Sequence, residues 1–139
     1  MIDTNIVERF ADGQNIITEG IVSTKAYIIT SGQVKVTKKV GDKQIVIGNL
    51  KEGDIFGEMG LLGEINRTAS VTAIGDVNLG VIDKELFDKF INTVPEEAQL
   101  IFRALIERLK ITTTKLASLA IQFEKVKKSM NSLSTKTFD

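Results

Sequence analysis

One glycine, one acid and one arginine stand around a short loop in the stretch Phe56-Gly-Glu-Met-Gly-Leu-Leu-Gly-Glu-Ile-Asn-Arg-Thr-Ala-Ser-Val-Thr-Ala73, and together they suit a sugar phosphate. Gly57 lets backbone approach a ligand with no β-carbon in the way. Residues 57 to 63 have the length of one helical turn, whose first N–H groups lack intrahelical acceptors and favour an anion. Arg67 supplies a planar, permanently charged fork that matches two phosphate oxygens. Glu58 offers only acceptors, so beside a phosphodiester it suits a ribose 2′-hydroxyl. Taken singly, each residue has an ordinary explanation: a lone arginine after a loop is usually a solvated charge, a Gly-Glu pair a turn, and Thr68 to Ala73 a strand. Yet Arg67 is the only arginine between Arg9 and Arg103, and the combination points to a ligand.

The surrounding pattern must position these groups. Ile2, Ile6, Val7 and Phe10 fall near helical spacing, so residues 1–11 are expected as a short amphipathic helix or a loosely held arm. From 12 to 83, short β-branched runs alternate with turn residues and predict a β-roll. Its strands are expected at Asn15 to Thr18, Ala26 to Thr30, Gln33 to Val40, Lys43 to Leu50, Ala69 to Ile74 and Asn78 to Ile82. Gly41-Asp42 predicts a tight hairpin. Strands this short close into a small jelly roll with a pocket at one end.

Asp83 is placed to cap a helix running through Phe90. Pro95, Glu96 and Glu97 suit the first turn of a second helix, which the pattern carries to Lys128. Along it, Phe102, Leu105, Leu109, Leu116, Leu119, Phe123 and Val126 alternate steps of three and four, with Thr112 in the one gap. That is a heptad seam. A seam that outruns a small domain needs a cover. A second copy of the same helix would make a parallel homodimer, and a downstream domain would serve as well. The expected domain is thus 1–128, with the helices in 84–128, and Ser129 to Asp139 as a flexible tail.

At 139 residues, 42% apolar and 26% charged, the chain has the size and composition of one soluble domain. Eighteen basic and eighteen acidic residues cancel, so no global field draws nucleic acid or an acidic membrane. DNA binding by this chain alone is not expected. Cysteine and histidine are absent, which removes disulfides, zinc sites and the commonest general acid–base residue. Roll-shaped enzymes that hold a metal with histidines are disfavoured for the same reason, and the expected class is not an enzyme. Without a membrane-length apolar run or the layout of a signal peptide, the expected location is cytoplasmic.

The string from Phe56 to Ala73 resembles the phosphate-binding cassette of cyclic nucleotide-binding domains. Catabolite-activator-type regulators, cyclic-nucleotide-dependent kinases and cyclic-nucleotide-gated channels share that domain. The match rests on Phe56, Gly57, Glu58, Leu61, Leu62, Arg67, Thr68, Ala69, Val71 and Ala73. It extends over residues 1–128 through Ser31-Gly32, the Gly41-Asp42 hairpin and the Gly53-Asp54 turn. The resemblance implies a mainly β fold with α: a cyclic-nucleotide-binding-like β jelly roll (double-stranded β-helix), flanked by short helices and a long C-terminal dimerisation helix.

It also implies a site. Gly57 and the backbone of Thr68 and Ala69 would touch the cyclic phosphate, Glu58 the ribose and Arg67 the phosphate charge, with Met59 among the ligand-binding positions of the turn. The segment Arg108-Leu-Lys-Ile-Thr-Thr-Thr-Lys-Leu116 resembles the central helix of catabolite-activator-type regulators. By that resemblance Thr112 and Thr113 meet the nucleotide base, one from each protomer, although helix threonines can also satisfy themselves on the preceding turn. The implied function is a cyclic nucleotide-binding sensor that needs no cofactor beyond its ligand and signals through its C-terminal helix. Cyclic AMP is favoured by the hydroxyls of Thr112 and Thr113. Cyclic GMP is the chemical alternative, because Thr68 could bond a guanine amino group. Two other readings compete: the sensing fragment of a transcription regulator whose DNA-binding domain lies outside this chain, and a ligand-free dimerisation module.

Overall fold

The computed structural model describes residues 6–62 and 66–137. The chain divides after Val94 into two compact units. The first holds six strands and a helix: β1 (Val7–Phe10), β2 (Asn15–Ile17), β3 (Ala26–Val40), β4 (Lys43–Lys51), β5 (Ile55–Phe56), β6 (Ser70–Ile82) and α1 (Lys84–Thr93). A 3-10 helix, Glu58–Leu62, lies between β5 and β6. The strands are antiparallel in the order β1-β6-β3-β4, with β2 also on β6 and β5 on β3. The second unit is one helix, α2 (Glu96–Thr137).

Alternation builds the core. Tyr27, Ile29 and Val34 of β3 and Val71, Ala73, Val77, Leu79 and Val81 of β6 bury one face together with Ile17 and Phe56; the β6 residues keep a period of two, whereas β3 changes parity between Ile29 and Val34, across the register shifts at Ser31. The rings of Tyr27 and Phe56 stack with centroids 5.3 Å apart, which fixes the end of β5 immediately before Gly57.

Several expectations need correction. Residues Val7–Phe10 form a strand, running from Val7 opposite Gly80 to Phe10 opposite Val77, and neither the helix nor the loosely held arm that is expected. Over four residues the two periods select overlapping positions, so pairing along β6 decides the conformation; Ile2 lies outside the described residues. The short strands expected on either side of Gly32 are a single strand, β3, and those on either side of Gly75 are β6. Glycine bends these strands without ending them. Register shifts flank Ser31, as in β-bulges, and Gly32 has φ +96. A Cβ there would lie 2.5 Å from the Asp76 carbonyl oxygen, so only glycine fits. The two-residue β5 is too short to leave a pattern. The expected hairpin is present, with Val40 opposite Lys43 across Gly41-Asp42.

Asp83 caps α1, its Oδ1 accepting the Leu86 N–H at 2.8 Å, and the helix continues past Phe90 to Thr93. Pro95 precedes α2, whose first turn carries Glu96 and Glu97. That helix then continues past Lys128 to Thr137, where a flexible tail was the expectation. Met130, Leu133 and Lys136 are favourable helix formers, and the stretch has no Gly or Pro to stop it. Phe138 and Asp139 lie outside the described residues. Among the described residues no helix is long and apolar enough to cross a membrane.

Candidate functional site

The site is built from the end of β5 outward. Phe56 is buried in the core, and Gly57, at φ +73, turns the chain straight into the 3-10 helix, where the Gly60 N–H donates to the Gly57 carbonyl at 3.1 Å. Leu61 anchors that turn from inside, buried with Ala26 and Ile82 against Leu86 and Phe87 of α1. Glu58 is left exposed and Met59 half-buried. The Leu62 side chain and residues 63–65 lie outside what is described.

Arg67 lies under this turn and is only 7% exposed. Its Nη1 donates to the Gly57 carbonyl at 2.7 Å and its Nη2 to the Lys25 carbonyl. Its backbone is held on both sides, the N–H by the Ile21 carbonyl at 3.1 Å and the carbonyl by the Gly20 N–H at 2.8 Å. The Nε is buried without a hydrogen-bond partner among the described residues. Burial lowers the Arg67 pKa, while Tyr27 and Glu58 act in the opposite sense; arginine starts high enough to stay charged. No carboxylate among the described residues lies within ion-pair distance of it. A buried cation that, among the described residues, is held only by neutral carbonyls favours an anion as its next neighbour.

Gly60 belongs to the site although its residue type does not announce it. A Cβ at Gly60 would lie 2.6 Å from Arg67 Nη2, 2.8 Å from Nη1 and 2.6 Å from the Ser23 carbonyl oxygen. At Gly57 it would lie 2.9 Å from Ile17 Cδ1. The repeated glycine is the one signal in the sequence, but its spacing does not reveal that an arginine from further along the chain passes beneath it.

Thr68 and Ala69 follow Arg67 and lead into β6, Thr68 exposed and Ala69 half-buried. Neither N–H donates to another described residue. The roll therefore brings Gly57 and Arg67 into contact, places Glu58 and Met59 on the turn between them, and sets Thr68 and Ala69 beside Arg67. Thr112 and Thr113 lie on α2, in the other unit. The Thr112 hydroxyl donates to the Arg108 carbonyl at 2.8 Å, and Thr114 does the same to Lys110 at 3.0 Å. Thr113 makes no such bond to a described carbonyl.

The sequence pattern of the cyclic nucleotide-binding domain family matches residues 7–94, from β1 through α1. The chain belongs to the cyclic nucleotide-binding domain family. It is 35% identical over 101 residues to the cAMP-dependent protein kinase regulatory subunit of Eremothecium gossypii, covering 72% of this chain and 21% of that protein. It is 31% identical over 111 residues to the CRP-like cAMP-activated global transcriptional regulator of Mycobacterium tuberculosis, covering 79% of this chain and 50% of that one. The chain thus spans half or less of the length of these curated relatives.

Among solved structures, the half-site-occupied form of an EAL enzyme aligns with a TM-score of 0.72 at 34% identity, covering 78% of this chain and 97% of that one. The catabolite activator protein of Thermus thermophilus aligns at 0.63 with 28% identity, covering 83% and 55%. This cyclic nucleotide-binding domain is a regulatory domain of the jelly-roll type with a long C-terminal helix, and cyclic nucleotides are the ligands of its family.

Proposed function

We propose that this domain is a non-catalytic receptor for cyclic AMP, with Gly57, Glu58, Met59, Arg67, Thr68 and Ala69 as its ligand-binding residues. The observation that carries the assignment is Arg67: a buried charge that has, among the described residues, neither a carboxylate partner nor an acceptor for its Nε, tied to the turn that bears Glu58. The cyclic phosphate is taken by the guanidinium and by the N–H groups of Thr68 and Ala69, which no described residue accepts, and the ribose hydroxyl by Glu58. Preference for cyclic AMP is supported by relatives that are cAMP-dependent or cAMP-activated by name and by the cAMP-bound form of the EAL enzyme, aligned at a TM-score of 0.65.

Cyclic GMP is the second reading. Human cGMP-dependent protein kinase 2 is 35% identical over 99 residues, the same EAL enzyme has a cGMP-bound form, and the exposed Thr68 hydroxyl is available to a guanine amino group. Titration calorimetry of the intact chain with each nucleotide separates them. Micromolar or tighter binding of cyclic AMP, with cyclic GMP at least about tenfold weaker, is expected. The reverse order would make this a cGMP receptor, and no heat with either would remove the receptor reading.

The output runs through α2 as a parallel homodimer. Phe102, Leu105, Leu109, Leu116, Leu119, Phe123 and Val126 are all exposed, and the heptad spacing suits a second copy of the same helix. Thr112 and Thr113, on this helix, are the further ligand-binding positions of the same proposal. Sedimentation velocity should give a dimer for the wild type and a monomer for Leu116→Glu, because a charge in the seam has no partner there. A wild-type monomer would sink this assignment.

A further inference from the structure

One side chain outside the cassette holds the segment that follows Arg67. Lys38, on β3, donates from Nζ to the Thr68 carbonyl at 2.6 Å, and the same ammonium pairs with Glu19 Oε1 at 3.3 Å. Glu19 is itself fixed. Its Oε2 accepts the Lys39 N–H at 2.9 Å, and its own N–H donates to Ser70 Oγ at 2.9 Å. Ser70 is buried at the start of β6. A closed circuit therefore joins β3, the loop after β2, the start of β6 and the Thr68 carbonyl.

The carbonyl of one residue and the N–H of the next point in opposite directions across a trans peptide, and the described peptides are all trans. By capturing the Thr68 oxygen, Lys38 turns the Ala69 N–H the other way. A cation on the carbonyl also polarises the peptide, which strengthens that N–H as a donor. We propose that Lys38 is a positioning residue of the ligand site: held by Glu19, it fixes and polarises the Thr68–Ala69 peptide so that Ala69 presents its N–H to the ligand phosphate. Lys38 need touch no ligand atom. The inference deepens the cyclic nucleotide reading above and rests on its assignment of Ala69.

Calorimetry with cyclic AMP on the wild-type chain, Lys38→Met, Lys38→Arg and Glu19→Gln tests it, with the Ala69 amide proton followed by NMR. Lys38→Met should weaken binding about tenfold, the lower end for one charge-assisted hydrogen bond. Lys38→Arg, which can reach both partners, should recover most of that loss, and Glu19→Gln should lose about threefold while keeping the shape of the circuit. The Ala69 amide should move strongly downfield on ligand addition in the wild type and much less in Lys38→Met, a change that general loosening of the fold does not produce. Glu19→Gln and Lys38→Arg keep the comparison decisive even if Lys38→Met folds poorly. Wild-type affinity and an unaltered Ala69 shift in Lys38→Met would remove the role of Lys38 alone. A wild-type chain that binds no cyclic nucleotide would instead remove the site assignment, and this inference with it.

Discussion

Replacing Arg67 with alanine should abolish most of the ligand affinity and loosen the roll at the same time. The two effects have separate causes. Losing the guanidinium removes the charge-assisted pairing to phosphate, on the order of 2 to 3 kcal/mol, or about two decades in affinity. It also leaves the Gly57 and Lys25 carbonyls without their donors, at about 1–3 kcal/mol for such unmade bonds. Removing a buried charge relieves some desolvation. The lost packing and the two orphaned carbonyls act in the other direction, and they outweigh it because the charge already held two bonds. Calorimetry and thermal unfolding on one sample check both parts: the midpoint should fall by several degrees. Arg67→Lys should recover some stability and little affinity, since an ammonium cannot replace a planar fork between two carbonyls. Ligand affinity unchanged in Arg67→Ala would refute the site.

Gly60→Ala should act on the same arginine from the other side. The added methyl would meet Nη2 and the Ser23 carbonyl oxygen, each at 2.6 Å. The side-chain end could swing away, but the backbone oxygen cannot, so the turn itself must shift. Overpacking of this kind costs about 1–3 kcal/mol, and a displaced guanidinium should weaken nucleotide binding at least about tenfold, given the cost of misplacing a charged donor. Gly60 lies outside the left-handed region, so its penalty is purely steric. Gly57 is different: its φ of +73 adds roughly 1–2 kcal/mol of backbone strain to any side chain placed there. Denaturant midpoints together with calorimetric affinities would test the pair. A Gly60→Ala chain that unfolds and binds like the wild type would mean that Arg67 does not pass beneath the turn.

The chemistry of the cassette can be read from residue types because Gly57, Glu58 and Arg67 differ in kind from what surrounds them. How Arg67 is held cannot. Its partners are backbone carbonyls, which every residue carries, so no sequence pattern marks Lys25 as an acceptor. Gly60 is hidden for a related reason, since its importance lies in what passes beside it. Lys38 and Glu19 look like ordinary surface charges until β3 and the loop after β2 place them against Thr68. In the roll, the β-branched runs mark where β3 and β6 lie. The same reasoning cuts both strands at glycines, because a bulge and a turn use the same residue. In α2 the seam is plain, whereas the end of the helix depends on weak propensities summed over polar residues, and these carry it beyond Lys128.

The two carbonyls that Arg67 holds belong to residues 10 and 42 positions away in the chain, and the long pairing of β3 with β6 brings strands from opposite sides of the cassette together. Closing loops of that length costs entropy before any contact can repay it. The receptor consequently has no local precursor. The cassette as an isolated peptide, or on a chain still emerging during synthesis, would carry the right residues and no binding site. Recognition of a nucleotide certifies that the whole roll has shut. A ligand that arrives so late in assembly acts on the lifetime of the closed state and leaves the speed of its formation to the strands.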